Sequence, residues 1–233
     1  MARPGARLIG ALDGVDVMQD LDRQIDYWNR IGPAKPFEHP FNFDRFGQWV
    51  ALDSRILDFG CGYGRVLGLL NSRGYHNVIG VDPAPAMVAA ARQRFPMIEV
   101  QPLVSPPHLD LPTASVDAAL LFTVLTCVPT DEGQRAVVRE VGRVLRPGGL
   151  LYISDLWLQP DARNVERYLR DESKYGLYGV FELPEGVTVR HHDRRWIEAL
   201  TQDFEPAAVD DVQVQTMNGH PANGFQWFGF KTS

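Results

Sequence analysis

The feature that most constrains the fold is the stretch Ile56-Leu57-Asp58-Phe59-Gly60-Cys61-Gly62-Tyr63-Gly64-Arg65. An apolar run of strand formers stops at an Asp, passes through three alternating glycines, and resumes at helical spacing in Val66, Leu67, Leu69 and Leu70. The pattern predicts a strand, a tight turn and a helix. Glycines at such a turn let backbone N–H groups approach a ligand with no Cβ in the way, and the helix N-terminus adds a partial positive charge.

The spacing of the glycines selects among nucleotide-type ligands. A dinucleotide fingerprint needs G-x-G-x-x-G, and both possible registers fail, at Arg65 counting from Gly60 and at Leu67 counting from Gly62. No G-x-x-x-x-G-K-[ST] phosphate loop occurs either. The pattern present is D-x-G-x-G-x-G, which resembles the first motif of the class I, Rossmann-like S-adenosylmethionine-dependent methyltransferases. The resemblance implies an α/β three-layer sandwich around a seven-stranded, mostly parallel sheet with an antiparallel last strand. It also implies S-adenosyl-L-methionine as methyl donor, S-adenosyl-L-homocysteine as product, and Asp58, Gly60, Cys61, Gly62 and Gly64 as cofactor contacts.

Further along, Asn77 to Val81 reads as a second strand ending at Asp82-Pro83. Asp82 lies 18 residues beyond Gly64, near the spacing at which an acidic residue meets ribose hydroxyls. A carboxylate accepts hydrogen bonds from both hydroxyls at once. A helix cap is the structural alternative, and the glycine motif favours the ribose role. Met87, one turn into the next helix, resembles the family position that packs on adenine. The loop after strand three, Val104-Ser105-Pro106-Pro107-His108-Leu109-Asp110, lacks the Asp and small residue often found there in the family. Adenine recognition is therefore open between the backbone at Leu103 and Val104 and the side chain of Ser105. Resemblance resumes at Leu111 to Asp117 and in Arg143-Val144-Leu145-Arg146-Pro147-Gly148-Gly149-Leu150-Leu151.

Strand four, Ala118 to Phe122, runs into Thr123-Val124-Leu125-Thr126-Cys127. Ligands of open parallel sheets lie at the carboxyl ends of the strands. Phe122 and Thr123 are therefore cofactor candidates, and Thr126 an acceptor-side candidate. Val17, Leu21, Ile25, Trp28 and Ile31 recur at helical spacing, and a linker with three prolines leads to a second helix near 42–51. These segments resemble the N-terminal lids of small-molecule methyltransferases, with Tyr27 as the contact residue and Trp28 read as packing. The expected organisation is an N-terminal arm and helical lid over residues 1–54, then a methyltransferase core over 55–233 with an acceptor-pocket insert at about 156–192.

The insert supplies a charged helix over 160–174, aromatic residues including Tyr175, and two short extended runs around Leu183-Pro184-Glu185-Gly186. It closes on Arg190-His191-His192-Asp193, with Asp193 capping a helix. Only one of the adjacent histidines can face the pocket, because successive side chains of an extended segment point to opposite sides. His191 and His192 are candidate proton acceptors; surface or capping roles are the alternative, and a metal site lacks local ligand spacing. The loop between the last two strands brings Asn218 and His220 to the same edge. Tyr175 and His220 are expected to orient the acceptor.

Composition bounds the partners. A formal charge of -6 argues against a broad basic footprint for nucleic acid, and the two cysteines form neither a metal-ligand spacing nor a disulfide framework. No apolar run is long enough for a membrane span, and Met1 to Arg7 lacks the core of a signal peptide, so a soluble cytoplasmic protein, monomer or homodimer, is expected. The acceptor is expected to be a small molecule. Two rivals stand beside this reading: a catalytically silent cofactor-binding or scaffold protein, and a nicotinamide-dependent oxidoreductase.

Overall fold

The computed structural model describes residues 24–232. The N-terminal arm, and Val17 and Leu21 of the expected first helix, lie outside the described residues. Helix α1 covers Ile25–Ile31 and α2 covers Phe43–Trp49; β1 (Ile56–Phe59), α3 (Arg65–Ser72), β2 (Val78–Asp82), α4 (Pro85–Arg94), β3 (Glu99–Pro102) and β4 (Val116–Phe122) follow in βαβ alternation. Next come α5 (Asp131–Val144), β5 (Leu145–Leu156), α6 (Ala162–Tyr175), the strands β6 (Val180–Glu182) and β7 (Thr188–Arg190), α7 (Arg194–Leu200), β8 (Phe204–Gln215) and β9 (Pro221–Lys231).

Seven strands form one sheet in the order β3-β2-β1-β4-β5-β9-β8, with β9 antiparallel to both neighbours and the other pairings parallel. Parallel strands covered on both faces read as continuous apolar runs, and β1 is accordingly buried at every position. Leu57, Phe59, Ile79 and Val81 pack with α5 and α7 on one face. Ile56, Val78 and Leu120 pack with α2, α3 and α4 on the other. The result is the three-layer α/β sandwich expected from the glycine motif and its flanks.

Local chemistry sets the element ends. Gly64 adopts φ +85 at the start of α3, and an added Cβ there would stand 2.9 Å from the Phe95 ring. Thr130 caps α5 by accepting the Gly133 N–H at 2.9 Å, and Asp161 caps α6 by accepting that of Asn164 at 3.2 Å. The helix before Arg146-Pro147-Gly148-Gly149 stops at Val144 and β5 begins at the next residue, Leu145, earlier than the run from Leu150 suggests.

A smaller layer sits over the carboxyl edge of the sheet. Tyr27 of α1, Tyr168 of α6, and Phe181, Val187 and Val189 of the β6–β7 hairpin form their own apolar cluster. Gln24 clasps Thr188 of the hairpin through two hydrogen bonds, at 2.7 and 2.6 Å.

Candidate active site

The carboxyl ends of β1, β2 and β4 open onto a cavity of about 450 Å³. Its floor is the glycine turn. Gly60 and Cys61 donate their N–H groups to the Val81 carbonyl at 2.8 and 3.0 Å, and Gly62 donates to Asp82 Oδ2 at 2.9 Å. Asp82 Oδ1 accepts the Ala84 N–H at 2.8 Å, so this carboxylate ties the turn to the start of α4. Gly62 adopts φ +53, and an added Cβ would meet nothing nearer than Met87 Cε at 4.0 Å, so a side chain there would occupy ligand space.

Asp58 supplies the second acidic group. Its Oδ2 is buried and has no partner among the described residues. Burial raises its pKa to about 7, with Arg65 opposing the shift and Asp82 reinforcing it. Burial also raises Asp82 to about 6, against its two backbone hydrogen bonds. An unpartnered carboxylate oxygen beside the half-buried Arg65 is suited to a zwitterionic amino-acid group, ammonium to Asp58 and carboxylate to Arg65.

A side chamber of about 80 Å³ adjoins this cavity and shares Trp28, Phe37, Thr123 and Cys127 with it. Thr123 marks the junction. It is a non-glycine residue at φ +55, held by its N–H to the Ser154 carbonyl at 2.8 Å and its hydroxyl to the Phe122 carbonyl at 2.7 Å. Around the chamber stand His39, Thr126, Arg163, Arg167, His191 and His220.

The cavities sort the residues singled out from sequence. Asp58, Gly60, Cys61, Gly62, Asp82, Met87, Phe122 and Thr123 line the main cavity. Thr126, His191 and His220 line the chamber. Gly64 lines neither, and serves the helix start and the Phe95 contact instead. Tyr27 and Trp28 exchange their expected places: Tyr27 is buried with its hydroxyl 4.0 Å from Met217 Sδ, whereas Trp28 faces both cavities. Successive helical positions diverge by about 100°, so one of the two had to turn away. Tyr175 lies outside both cavities, with its hydroxyl on Glu182 at 3.3 Å and Thr188 at 3.2 Å.

The two histidines part as their alternation requires. Tyr168 accepts the Gln159 N–H at 3.1 Å, and its hydroxyl lies within hydrogen-bond distance of His191 Nδ1, at 2.5 Å. His192 is sealed behind the chamber. Its Nδ1 donates to the Leu156 carbonyl at 3.1 Å and its Nε2 accepts from Gln134 at 3.0 Å, while Trp196 holds Gln134 at 2.6 Å. Burial lowers both pKa values, that of His192 to about 3. Both rings are neutral, and His192 pins β5, α5 and α7 together.

Residues 57–153 match the methyltransferase domain family. The ubiquinone biosynthesis O-methyltransferase of Idiomarina loihiensis is 27% identical over 214 residues, covering 85% of this chain and 81% of that protein. The enzyme of the same name from Xanthomonas campestris is 31% identical over 147 residues, covering 58% of each chain, so the match spans little more than half of that relative. A solved S-adenosylmethionine-dependent methyltransferase from Methanosarcina mazei superposes with a TM-score of 0.77 at 24% identity, over 83% of this chain and 99% of that one. The chain carries a methyltransferase domain on the fold shared with solved S-adenosylmethionine-dependent methyltransferases. Its cofactor is S-adenosylmethionine.

In this methyltransferase, several cavity residues carry no local sequence signal. Glu132, Gly133, Ala136 and Val137 reach the main cavity from α5, and Leu103, Pro106 and Pro107 close the wall where adenine recognition was open between backbone and Ser105. Val104 is largely exposed there. His39 was also missed, because it sits in the proline-rich linker, where no periodicity marks a buried side chain. It is buried, its Nδ1 lies 3.1 Å from Ser154 Oγ, and burial aided by Arg65 lowers its pKa to about 3. Among the described residues no helix is long and apolar enough to cross a membrane.

Proposed function

We propose that the chain methylates a hydroxyl of a small-molecule acceptor held in the side chamber. The observation carrying this reading is the junction at Thr123, where a cofactor-sized cavity built on the glycine turn meets a separate small chamber. The names of the two O-methyltransferase relatives support oxygen as the accepting atom. When bound, S-adenosylmethionine supplies an electrophilic methyl group on a sulfonium. Asp82 would hold the ribose hydroxyls, and Asp58 and Arg65 the amino-acid end. The glycine turn gives close approach, and Met87, Leu103 and the two prolines the apolar wall for adenine. Within this reading residues 1–54 act as arm and lid, and 156–192 as the acceptor insert.

The acceptor must be held in line and shielded from water, effects worth roughly 7 to 11 kcal/mol. Trp28 and Phe37 span both cavities and exclude water at the junction. The acceptor hydroxyl is proposed to hydrogen-bond to Nε2 of His39, a ring that burial keeps neutral, so the proton lost on transfer passes to solvent and is not held on the imidazole. In the tautomer that donates from Nδ1 to Ser154, its Nε2 keeps a lone pair with no partner among the described residues, and the ring lines the chamber. His191 would serve as a neutral, Tyr168-oriented wall residue, and Thr126 and His220 as further acceptor contacts.

Transfer of labelled methyl from S-adenosylmethionine to a panel of small phenols and alcohols tests the reading, with wild type and His39→Ala compared at saturating cofactor. Label should appear in an extractable product, and the variant should turn over about 100-fold more slowly. Cofactor binding with no label transferred to any acceptor would favour a silent binding protein.

A further inference from the structure

Helix α6 presents Arg163 and Arg167 to the side chamber, four residues apart and so on one helix face. Neither guanidinium forms an ion pair among the described residues, although Arg170 on the same helix pairs with Asp171 at 2.7 Å. Arg167 lies flat over Phe181, 3.6 Å from the ring centroid, and its Nε is buried without a partner. Burial lowers its pKa and the charge of Arg163 adds to that effect, while Tyr168, through its charge and a side-chain hydrogen bond, and Asp161 oppose it. Both arginines also help keep His191 neutral. Glu38, on the same wall, is exposed.

A half-buried guanidinium with an unpartnered Nε beside an apolar chamber is costly, and a ligand that supplies further counter-charge would offset that cost. The guanidinium fork matches an oxyanion and binds a carboxylate through two parallel hydrogen bonds. Around the arginines the walls are apolar, from Phe37, Leu156, Phe181, Leu183, Val189 and Met217. A negative charge here would also face the sulfonium across the junction. Resting on the methyltransferase reading above, we infer that the acceptor joins an apolar body to an oxyanion head group, carboxylate or phosphate, and that Arg163 and Arg167 hold that head group.

Calorimetric titration of the full chain loaded with S-adenosylhomocysteine tests this, using benzoate, phenyl phosphate and the uncharged benzamide as probes. At least one of the two anions should bind about tenfold or more tightly than benzamide, and which one does so distinguishes carboxylate from phosphate. Arg163→Gln, at an exposed helix position, should abolish that preference while S-adenosylhomocysteine binds as in wild type. Arg167→Lys should retain part of it and Arg167→Gln none. Equal binding of benzamide and both anions, or a preference that survives Arg163→Gln and Arg167→Gln alike, would overturn the inference. Failure of S-adenosylhomocysteine itself to bind would instead overturn the reading beneath it.

Discussion

Asp58 combines a buried unpartnered oxygen with a pKa raised to about 7, and this makes cofactor affinity depend on pH. The ionised fraction grows as pH rises through 7, and a cofactor ammonium selects the ionised form. S-adenosylhomocysteine should therefore bind at least about tenfold more tightly at pH 7.5 than at pH 5.5, with Asp58→Asn losing most of that slope. In the cofactor-free protein the sign is opposite: a carboxyl raised above its unfolded value favours the protonated fold and costs stability as pH climbs towards 7. Isothermal titration across pH measures the first effect directly. Asp58 and Asp82 were legible because each lies at the carboxyl end of an apolar strand at a motif spacing. His39, Arg163 and Arg167 were not. Their roles come from what surrounds them in space, and nothing adjacent in the chain marks an arginine whose Nε is sealed over Phe181.

The elements divide along the same line. Strands β1, β2 and β4 and helices α3 and α5 announce themselves through apolar runs, helical spacing and capping residues, because their contacts repeat with the local period. Helix α6 shows how far that goes: its charged sequence reads as an exposed helix, yet Asn164, Tyr168 and Asp171 form a buried stripe that only the packed hairpin explains. The turn into α3 carries a prediction about the fold. Gly64→Ala forces a side chain into φ +85 and against Phe95, whereas Gly148→Ala meets only a φ of +73 with open space around it. Gly64→Ala should cost about 1 to 3 kcal/mol more than Gly148→Ala in urea unfolding. Equal losses would show that the Phe95 contact gives way freely.

At the scale of the molecule, the sheet supplies the cofactor floor and three distant segments supply the chamber. Gln24 reaches Thr188, and Lys35 reaches Glu185 at 2.9 Å and Asn218 at 2.5 Å, so α1, the β6–β7 hairpin and the β8–β9 loop meet above the sheet edge. Those pairs lie at least 150 residues apart, beyond the reach of any local pattern, which is why the sequence pointed to an acceptor region without assembling it. The central claim is that the glycine turn and Asp82 form a site for a sulfonium nucleoside and not for a dinucleotide. Calorimetric titration of the full chain with S-adenosylhomocysteine and with NADH tests it most directly. The account predicts one S-adenosylhomocysteine bound per chain, no measurable NADH binding, and an affinity about 10- to 100-fold weaker in Asp82→Ala. NADH binding without S-adenosylhomocysteine binding, or an unchanged affinity in a folded Asp82→Ala, would contradict it.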